Sequence, residues 1–554
     1  MEQEPSRPVL QRVRTPGPHP ALAALVVVAA TAIVGVGVVG RVSQQQPAPS
    51  AQTVAPAPAA VAVSPSPGTS PRGTAPPTPR VADAPPIVAV GWPVTAVGPI
   101  WSQPTLAPNG TAYVVFEQGR VGRAQVVALD PDGNMRPGWP YRAAAGESLV
   151  GPSVGADGTV WVAAIPNAPG TPSRVIALSP SGSVRPGWPV EVSGLLSTVP
   201  PAPGPDGSAY VVRGDAHGSA QLAGFAGSGR ALPCFPVALD RRGEISFNHR
   251  VLVSGDGAMF ATATAVDGTG ETLRVLAMRP AVGCSGATLH MRGQSPGVAM
   301  LPDGRLLAWV FGISPRSLGV GPAVRSVRIA IIGPDGKVAA GWPRTVRGVT
   351  SAPAIGPDGA VYVIAGESCS AAAGRVVAFR PDGNAKPGWP APLPAGFGGG
   401  WRFPQSGQAC IATPPVAGPD GSVHALVGDP VSGGTAIATI DPNGRPRRGW
   451  PFELATTDPS PAISGIDAFG GALLPVVGPD GWVYQAISGP PGSVLAIDAT
   501  GSVVARTPLP EGMAIAGLQA VQGRRLLVTA VLRSGGFPFV TIRVLGPFAP
   551  IAPS

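Results

Sequence analysis

The amino-acid sequence predicts an all-β protein, an eight- or nine-bladed β-propeller of four-stranded antiparallel blades, preceded by one transmembrane helix and a Pro-rich linker. Two observations predict the blades: a glycine turn recurs along residues 88–550, and most units carry a second turn six residues before a Trp. A third observation predicts a closed ring, because this segment begins with a strand that the last unit lacks.

The chain begins with a tail at residues 1–20 and an apolar stretch at residues 21–40. The stretch has 20 uncharged residues, which matches the roughly 20 residues that cross a bilayer as a helix. Three arginines precede it and only Arg41 follows closely. Because basic residues stay on the cytoplasmic side, we expect the tail in the cytoplasm and the propeller outside the cytoplasmic membrane. A cleaved signal peptide is the alternative.

Residues 41–87 form the next segment and are dominated by Pro, Ala, Ser and Thr. They offer no periodic apolar face to bury, so we expect an extended, disordered spacer. The abundance of Ala, Val, Gly and Pro, with Arg used in place of Lys, is typical of a bacterial protein from a GC-rich genome.

The first repeated turn has the form GPDG. Successive turn glycines are separated by 42 residues (Gly481 to Gly523) to 62 residues (Gly359 to Gly421). Pro presets φ, Asp can bond its own backbone, and Gly adopts the positive φ that closes a hairpin. A β-type run such as TAYVVF follows each turn. The turn glycines are Gly110, Gly158, Gly207, Gly257, Gly304, Gly359, Gly421, Gly481 and Gly523.

A second turn in most units precedes an aromatic residue by six positions. The pairs are Gly133 and Trp139, Gly182 and Trp188, Gly229 and Phe235, Gly336 and Trp342, Gly383 and Trp389, and Gly444 and Trp450. Each unit therefore has four strands, with short turns between strands one and two and between strands three and four. A side chain repeated at one place in every blade indicates packing between blades rather than a set of sugar-stacking residues.

The two ends of the array predict how the ring closes. Residues 88–93 (VAVGWP), which include Trp92, resemble a fourth strand without its preceding partners, whereas the last unit ends near residue 550 without a second turn. We expect the first strand to complete the last blade, which removes an exposed edge.

The pattern GPDG…YV…VxAxxPDG…PGWP resembles the PQQ-like (quinoprotein-like) β-propeller repeat superfamily over about residues 85–550. The resemblance implies the fold and leaves activity open, because members include quinone-dependent alcohol dehydrogenases and a non-enzymatic outer-membrane assembly lipoprotein. A dehydrogenase of this kind would need a calcium-binding carboxylate set and, commonly, adjacent cysteines, and neither is found in the sequence. We therefore expect the non-enzymatic type, without a cofactor.

The remaining motifs favour a binding module over an enzyme. The DPDG turn at Asp130 and Asp132 lacks the further ligands and final Glu of a calcium loop, so we expect no metal. The five histidines accompany neither G-x-S-x-G nor H-E-x-x-H, so no catalytic residue is assigned. Paired carboxylates from distant blades leave no local motif, so a carbohydrate-active enzyme, a glycosidase or lyase, is the main alternative.

The net charge of +9 is spread along the chain without a dense basic cluster, which argues against a nucleic-acid partner. We expect a monomeric binding or scaffold propeller of the cell envelope, attached to the membrane through one helix. Its partner would be another envelope protein or a cell-wall glycan.

An extracytoplasmic location permits disulfides among the four cysteines. Cys369 lies in the loop between strands two and three of its blade and Cys410 in the loop that leaves the same blade, so both belong to one face and are expected to pair. Cys234 and Cys284, near the outer strands of neighbouring blades, form the second expected pairing.

We expect ligands to bind where loops vary in length, since loops on a rigid scaffold usually carry binding. The two short turns of each blade share one face, and the longer loops share the other. Three irregular segments stand out in these loops, at residues 240–250, 390–410 and 458–469. The candidate ligand-binding residues are His249, Arg250, Trp401, Arg402 and Asp467.

Overall fold

A computed structural model describes the chain between Val94 and Phe548, with gaps. The described residues are 94–97, 104–116, 123–168, 170–194, 199–214, 219–240, 245–267, 270–283, 286–313, 324–366, 374–394, 401–402, 410–411, 413–428, 435–454, 474–487, 492–510, 513–532, 539–546 and 548. Nothing helical in these ranges is long and apolar enough to cross a membrane. The predicted transmembrane helix at 21–40 and linker at 41–87 lie outside them.

The strands, numbered β1–β39 in chain order, form nine blades and one extra hairpin. Blade 1 contains β2 (Thr105–Leu106), β3 (Ala112–Phe116), β4 (Gln125–Leu129) and β5 (Tyr141–Arg142). Blade 2 contains β6 (Glu147–Val154), β7 (Val160–Pro166), β8 (Ser173–Leu178) and β9 (Val190–Val192). Blade 3 contains β10 (Ala202–Pro203), β11 (Ala209–Gly214), β12 (Ala220–Phe225) and β13 (Val237–Ala238). Blade 4 contains β14 (Ile245–Val253), β15 (Met259–Asp267), β16 (Gly270–Met278) and β17 (Gly286–Arg292). Blade 5 contains β18 (Gln294–Met300), β19 (Leu306–Ile313), β20 (Val324–Ile332) and β21 (Arg344–Arg347).

The second half of the ring repeats this arrangement. Blade 6 contains β22 (Val349–Thr350), β23 (Ala354–Ile355), β24 (Val361–Gly366), β25 (Gly374–Phe379) and β26 (Ala391–Pro392), with β22 and β23 both pairing β24. The hairpin β27 (Trp401–Arg402) and β28 (Cys410–Ile411) follows. Blade 7 contains β29 (Val416–Ala417), β30 (Val423–Gly428), β31 (Thr435–Ile440) and β32 (Phe452–Leu454). Blade 8 contains β33 (Val476–Val477), β34 (Val483–Ile487), β35 (Ser493–Ile497) and β36 (Val503–Pro508). Blade 9 contains β37 (Met513–Val521), β38 (Arg525–Leu532), β39 (Phe539–Leu545) and β1 (Val94–Val97).

The first strand of each blade lies closest to the axis of the ring. Within a blade the strands pair antiparallel, in chain order except that β1 follows β39 in blade 9. First strands of neighbouring blades contact one another, as β2 contacts β6 and β29 contacts β33. The predicted count of eight or nine four-stranded blades is therefore confirmed at nine.

Apolar side chains on both sides of each blade form the core. The buried hydrophobic residues of the described chain fall into nine clusters, each joining two adjacent blades. One of them unites Val114 and Leu129 of blade 1 with Ile542 and Val544 of blade 9. The core is thus a circular series of blade interfaces, and it closes on itself.

The repeated Trp residues of blades 1, 2, 5, 6 and 7 pack between neighbouring blades. The five described ones are 7 to 9% exposed, and Trp139 packs on Tyr113 of its own blade with ring centroids 5.4 Å apart. The indole N–H of Trp139 donates to the carbonyl of Pro180 in the next blade at 3.1 Å. Trp188, Trp342 and Trp389 make the equivalent bonds. These contacts confirm packing between blades for the described members of the set; Trp92 lies outside the described residues.

The ring closes through pairing between its first and last strands. β1 runs antiparallel to β39, with Val94 opposite Ile542 and Val97 opposite Phe539. The expected first strand at 88–93 lies outside the described residues; β1 begins directly after it at Val94, as β5 begins directly after the GWP residues 138–140 of blade 1. In blade 1 the Trp139 side chain lies in the blade interface, and the ladder with β4 continues beyond it at Tyr141.

Candidate functional site

The two turns of each blade meet on one face of the ring, called here the turn face. In blade 2, Asp157 of the first turn pairs with Arg185 of the second at 2.6 Å. Lys386 pairs with Asp358 at 2.6 Å in blade 6, and Arg447 pairs with Asp420 at 2.8 Å in blade 7. These three carboxylates are each engaged by their own blade, whereas Asp480 of blade 8 pairs with Arg524 of blade 9 at 3.1 Å.

The pKa values of these carboxyls reflect the pairing. Partial burial acts to raise the pKa of Asp420, but hydrogen bonds from Ser422 and the nearby Arg447 guanidinium outweigh burial and lower the pKa to about 2. The same balance, with Lys386 as the cation, lowers the pKa of Asp358. These aspartates are ionised at neutral pH and stabilise the turns.

An apolar recess of 530 Å³ lies beside the axis on the turn face. It is formed where the first strands of blades 5 to 8 enter their first turns. Its walls are Met300, Leu301, Pro302, Ile355, Gly356, Pro357, Ala417, Gly418, Pro419, Val477, Gly478 and Pro479. The same three positions of four blades contribute, so this recess arises from the repeat.

The opposite face, called here the loop face, carries the loops between second and third strands and those between blades. Its first polar cluster joins Asp240, which follows β13 of blade 3, to Ser246 and His249 on β14 of blade 4. The hydroxyl of Ser246 donates to Asp240 Oδ1 at 2.6 Å and lies 2.8 Å from His249 Nε2. His249 Nε2 is 3.7 Å from the same carboxylate oxygen.

A bulge in β14 brings these side chains together. The register with β15 shifts between Phe247 and Arg250, and Asn248 has a φ of 53°, a left-handed conformation that Asn tolerates better than most residues. The local turn brings His249 back over Ser246. Asp240 is only 3% exposed at its side chain and also accepts the backbone N–H of Ala220 at 2.9 Å.

The electrostatics of the cluster favour an ionised Asp240. Burial acts to raise the pKa of Asp240, but hydrogen bonds from His249, Ser246 and the Ala220 backbone outweigh burial and lower the pKa. A carboxylate can only accept, so the single hydroxyl proton of Ser246 is directed at Asp240 and His249 Nε2–H donates to the Ser246 oxygen. This is the reverse of a nucleophilic pair, in which the unprotonated His nitrogen would accept the Ser proton. The arrangement ties blade 3 to blade 4.

The other described carboxylates at blade junctions on this face have comparable partners. Glu147 accepts three hydrogen bonds from two nitrogens of Arg174 and one from the backbone of Ala144. Glu271 accepts the backbone N–H of Ser295 at 2.7 Å. Each of these acids holds its own or a neighbouring strand in place, a structural role.

The predicted site residues fall in separate parts of the loop face. His249 is 15% exposed at its side chain and Arg250 is exposed, both in blade 4. Trp401 and Arg402 form β27 and pair with Ile411 and Cys410 of β28. Their side chains and Asp467 lie outside the described part of the chain. The structure therefore assigns the first four to two different places, blade 4 and the hairpin.

The hairpin extends the loop face. It is inserted between β26 of blade 6 and β29 of blade 7, and β28 lies against β22, the loop-side part of the first strand of blade 6. It belongs to none of the nine blades. This is an added element at the inner edge of the loop face.

Sequence reasoning missed Asp240 and Ser246, although it marked the segment that contains them. The available signal was an acid directly after an outer strand, DRRGEIS. Their contact depends on the bulge at Asn248, and a bulge cannot be located from a repeat pattern alone. Within the described ranges, no three His, Cys, Asp or Glu side chains converge in a way that could hold a metal ion.

The cysteine pairings stay predictions. Cys234 is disulfide-bonded, and no described cysteine is free. Cys284 and Cys369 lie outside the described residues, as does the side chain of Cys410.

The fold and its two faces define a nine-bladed β-propeller. No family model and no curated protein matches the chain. Among solved structures, it is similar to a dipeptidyl peptidase 4 from Porphyromonas gingivalis, with 8% identity over 80% of this chain and 65% of that one and a TM-score of 0.43. The Dos1 propeller matches with 10% identity over 72% and 93% of the chains and a TM-score of 0.38.

A structure from a study of two prolyl endopeptidases matches with 12% identity over 79% of this chain and a TM-score of 0.38. The chain spans about half of that protein, 54% of its length. At these identities and scores, the similarities carry no statement about activity.

Proposed function

We propose that this chain is a binding or scaffold propeller of the bacterial cell envelope, anchored in the cytoplasmic membrane by residues 21–40 and related to the non-enzymatic PQQ-like propellers. The observation that carries the binding role is the β27–β28 hairpin. Eight of the nine junctions join neighbouring blades without an added sheet among the described residues, whereas the junction between blades 6 and 7 contains one. An element outside the core of a repeat protein is where a binding surface is usually built.

The composition of the hairpin supports this proposal. It places Trp401 and Arg402 next to each other, and these two residue types are enriched among those that dominate protein interfaces. On the turn face, by contrast, Asp157, Asp358 and Asp420 are each paired with a cation of their own blade. The partner is an envelope protein or a cell-wall glycan bound over the hairpin.

The test is capture of envelope components by the full chain in mild detergent. We expect Trp401→Ala/Arg402→Ala to reduce recovery of the captured component by about tenfold or more, because such side chains contribute on the order of 2 kcal/mol each at interfaces. The melting temperature should stay within about 2 °C, since the hairpin lies outside the blades.

The matched control is Arg448→Ala, an exposed arginine on the turn face, which should leave capture unchanged. Undiminished capture by the double variant would place the binding surface elsewhere. A loss shared equally by the Arg448 variant would indicate a general charge effect and contradict the proposal.

A further inference from the structure

The strands of blade 5 carry an unbalanced positive charge. Strands β18 to β21 contain four arginines and no Asp or Glu. The two acids of this blade, Asp303 and Asp335, belong to its turns, and Asp303 pairs with Arg305 at 2.6 Å. The outer part of the blade therefore has arginines without a carboxylate on its own strands.

Two of these arginines lie side by side on the flank that faces blade 4. Arg347 of β21 stands opposite Ser326 of β20, and Arg328 stands opposite Thr345. Ala330, two residues beyond Arg328, belongs to the cluster with blade 4, and alternate residues of a strand share a face. Arg328, Thr345 and Arg347 are exposed, so two guanidiniums and two hydroxyls line this groove.

The opposite flank, towards blade 6, carries two more arginines. Arg344 lies on the same side of β21 as Val346, which packs in the cluster with blade 6. The Nε of Arg344 is buried without a hydrogen-bond partner. Arg375 of β25 shares its side with Val377, which packs in the same cluster. Arg375 is exposed. Positive charge thus lies on both sides of the outer edge of blade 5.

Several arginines elsewhere on the strands have partners, whereas the exposed side chains of Arg142 on β5 and Arg250 on β14 have none within the described residues. Arg174 bonds to Glu147 through two nitrogens, Arg213 to Ser193 and Gln221, and Arg274 to the carbonyl of Leu239. Within the described residues, the side chains of Arg328, Arg347 and Arg375 make no hydrogen bond or ion pair. Their donors are available to an outside ligand, and a guanidinium presents a fork that matches a carboxylate.

We propose that this blade-5 basic edge, formed by Arg328, Arg344, Arg347 and Arg375, binds an acidic polysaccharide through its carboxylates. The hydroxyls of Ser326 and Thr345 between the guanidiniums suit a hydroxyl-rich chain. Single-stranded nucleic acid fits less well, because it is held by aromatic stacking as well as charge and these strands present no exposed aromatic among the described positions. The surface is separate from the hairpin and does not rest on the proposed partner there.

The test titrates labelled polygalacturonate with the full chain in detergent at low salt and follows fluorescence anisotropy. We expect Arg328→Gln/Arg347→Gln/Arg375→Gln to weaken binding by more than about tenfold, or about 1.4 kcal/mol. Neutral dextran should not bind. The matched control is Arg230→Gln/Arg445→Gln/Arg448→Gln, which removes the same charge from exposed turn-face positions and should change the affinity less than about twofold.

Equal losses of affinity in both triple variants, or unchanged binding in the blade-5 variant, would overturn the inference. So would binding of dextran as tight as that of polygalacturonate. Displacement of polygalacturonate by a lower concentration of an oligothymidine 30-mer would also overturn it. If the melting temperature of the blade-5 triple variant falls, the binding affinity of Arg328→Gln/Arg347→Gln, which changes one groove only, is compared with that of Arg445→Gln/Arg448→Gln. Retention of polygalacturonate binding by Trp401→Ala/Arg402→Ala separates this surface from the hairpin.

Discussion

At the scale of single residues, His424 shows how one position of the repeat has changed. It stands on the second strand of blade 7, where five other blades have Tyr or Trp: Tyr113, Trp161, Tyr210, Tyr362 and Tyr484. It packs on Trp450 with ring centroids 5.9 Å apart, and Nε2 lies 3.2 Å from the Ser422 hydroxyl. Blade 3 has the same contact from Tyr210 to Ser208, so the imidazole substitutes for a phenol.

Burial of His424 predicts a pH-dependent stability. Burial lowers the pKa of His424 from 6.5 to about 4, although Asp420 acts in the opposite direction. The unfolded chain takes up a proton as the pH falls through 6.5, and the folded chain does so only near 4. The free energy of unfolding therefore decreases as the pH falls between these values, and this residue contributes about 3 kcal/mol to the loss.

His424→Tyr should remove that part of the loss, since tyrosine is neutral in this range. The measurement compares melting temperatures at pH 7 and pH 4.5. We expect the melting temperature of His424→Tyr to fall less between pH 7 and pH 4.5 than that of the natural chain. For His290→Tyr, whose histidine is exposed, we expect the same fall as in the natural chain. Identical pH dependence in all three chains would contradict the assignment.

At the scale of elements, blade 8 lacks the repeated Trp and compensates with a distant segment. Thr507 stands six residues after Gly501, where six other blades have Trp or Phe. Phe548, beyond the last strand, fills the space: it is 3% exposed and packs on Tyr484 with ring centroids 5.6 Å apart. Its backbone N–H bonds to Arg524 of blade 9, so one residue joins blades 8 and 9.

Phe548→Ala should therefore destabilise the ring despite its position outside the strands. Deleting a buried aromatic ring typically costs about 3 to 5 kcal/mol, and we expect the lower part of that range because the site lies near the surface. Phe548→Leu keeps most of the volume and should cost less than half as much. Chemical denaturation of the three chains measures the difference, and equal stability would show that Phe548 does not replace the Trp.

The closing strand gives a second prediction at this scale. A chain that starts at residue 98 lacks β1 and exposes the edge of β39, whereas a chain that starts at residue 88 keeps the pairing. We expect the shorter chain to melt lower by roughly 5 °C or more and to associate through the free edge. Sedimentation and melting curves distinguish the two, and matching behaviour would mean that the β1 pairing contributes little.

At the scale of the whole molecule, the sequence predicts the ring because its signals are local and repeated. A Pro-Asp-Gly turn needs only three neighbouring residues, and Gly359 or Gly421 can be recognised without knowledge of the rest. The sequence leaves the blade count at eight or nine, because the ninth unit has a degenerate first turn at Gly523. Its strands are nonetheless β37 to β39 with β1, and the pairing that completes it spans the chain.

The candidate site was harder to predict, because its contacts are neither local nor repeated. Asp240 meets His249 only through the bulge at Asn248. Phe548 replaces Trp at a position that spacing assigns to Thr507. The basic edge of blade 5 was missed because its arginines are dispersed in sequence and converge only through the pairing of β20 with β21.

Closure through β1 and β39 also determines when the fold can be completed during synthesis. A ribosome makes Val94 long before Ile542, and these residues stand opposite each other in the finished blade. Blades 1 to 8 can each pair their own strands as they emerge, whereas β1 must wait for nearly the entire chain. The ninth blade is therefore the last to assemble, and a polypeptide interrupted before β39 retains an open first strand and an unclosed ring, a state that quality-control proteases can distinguish from the complete protein.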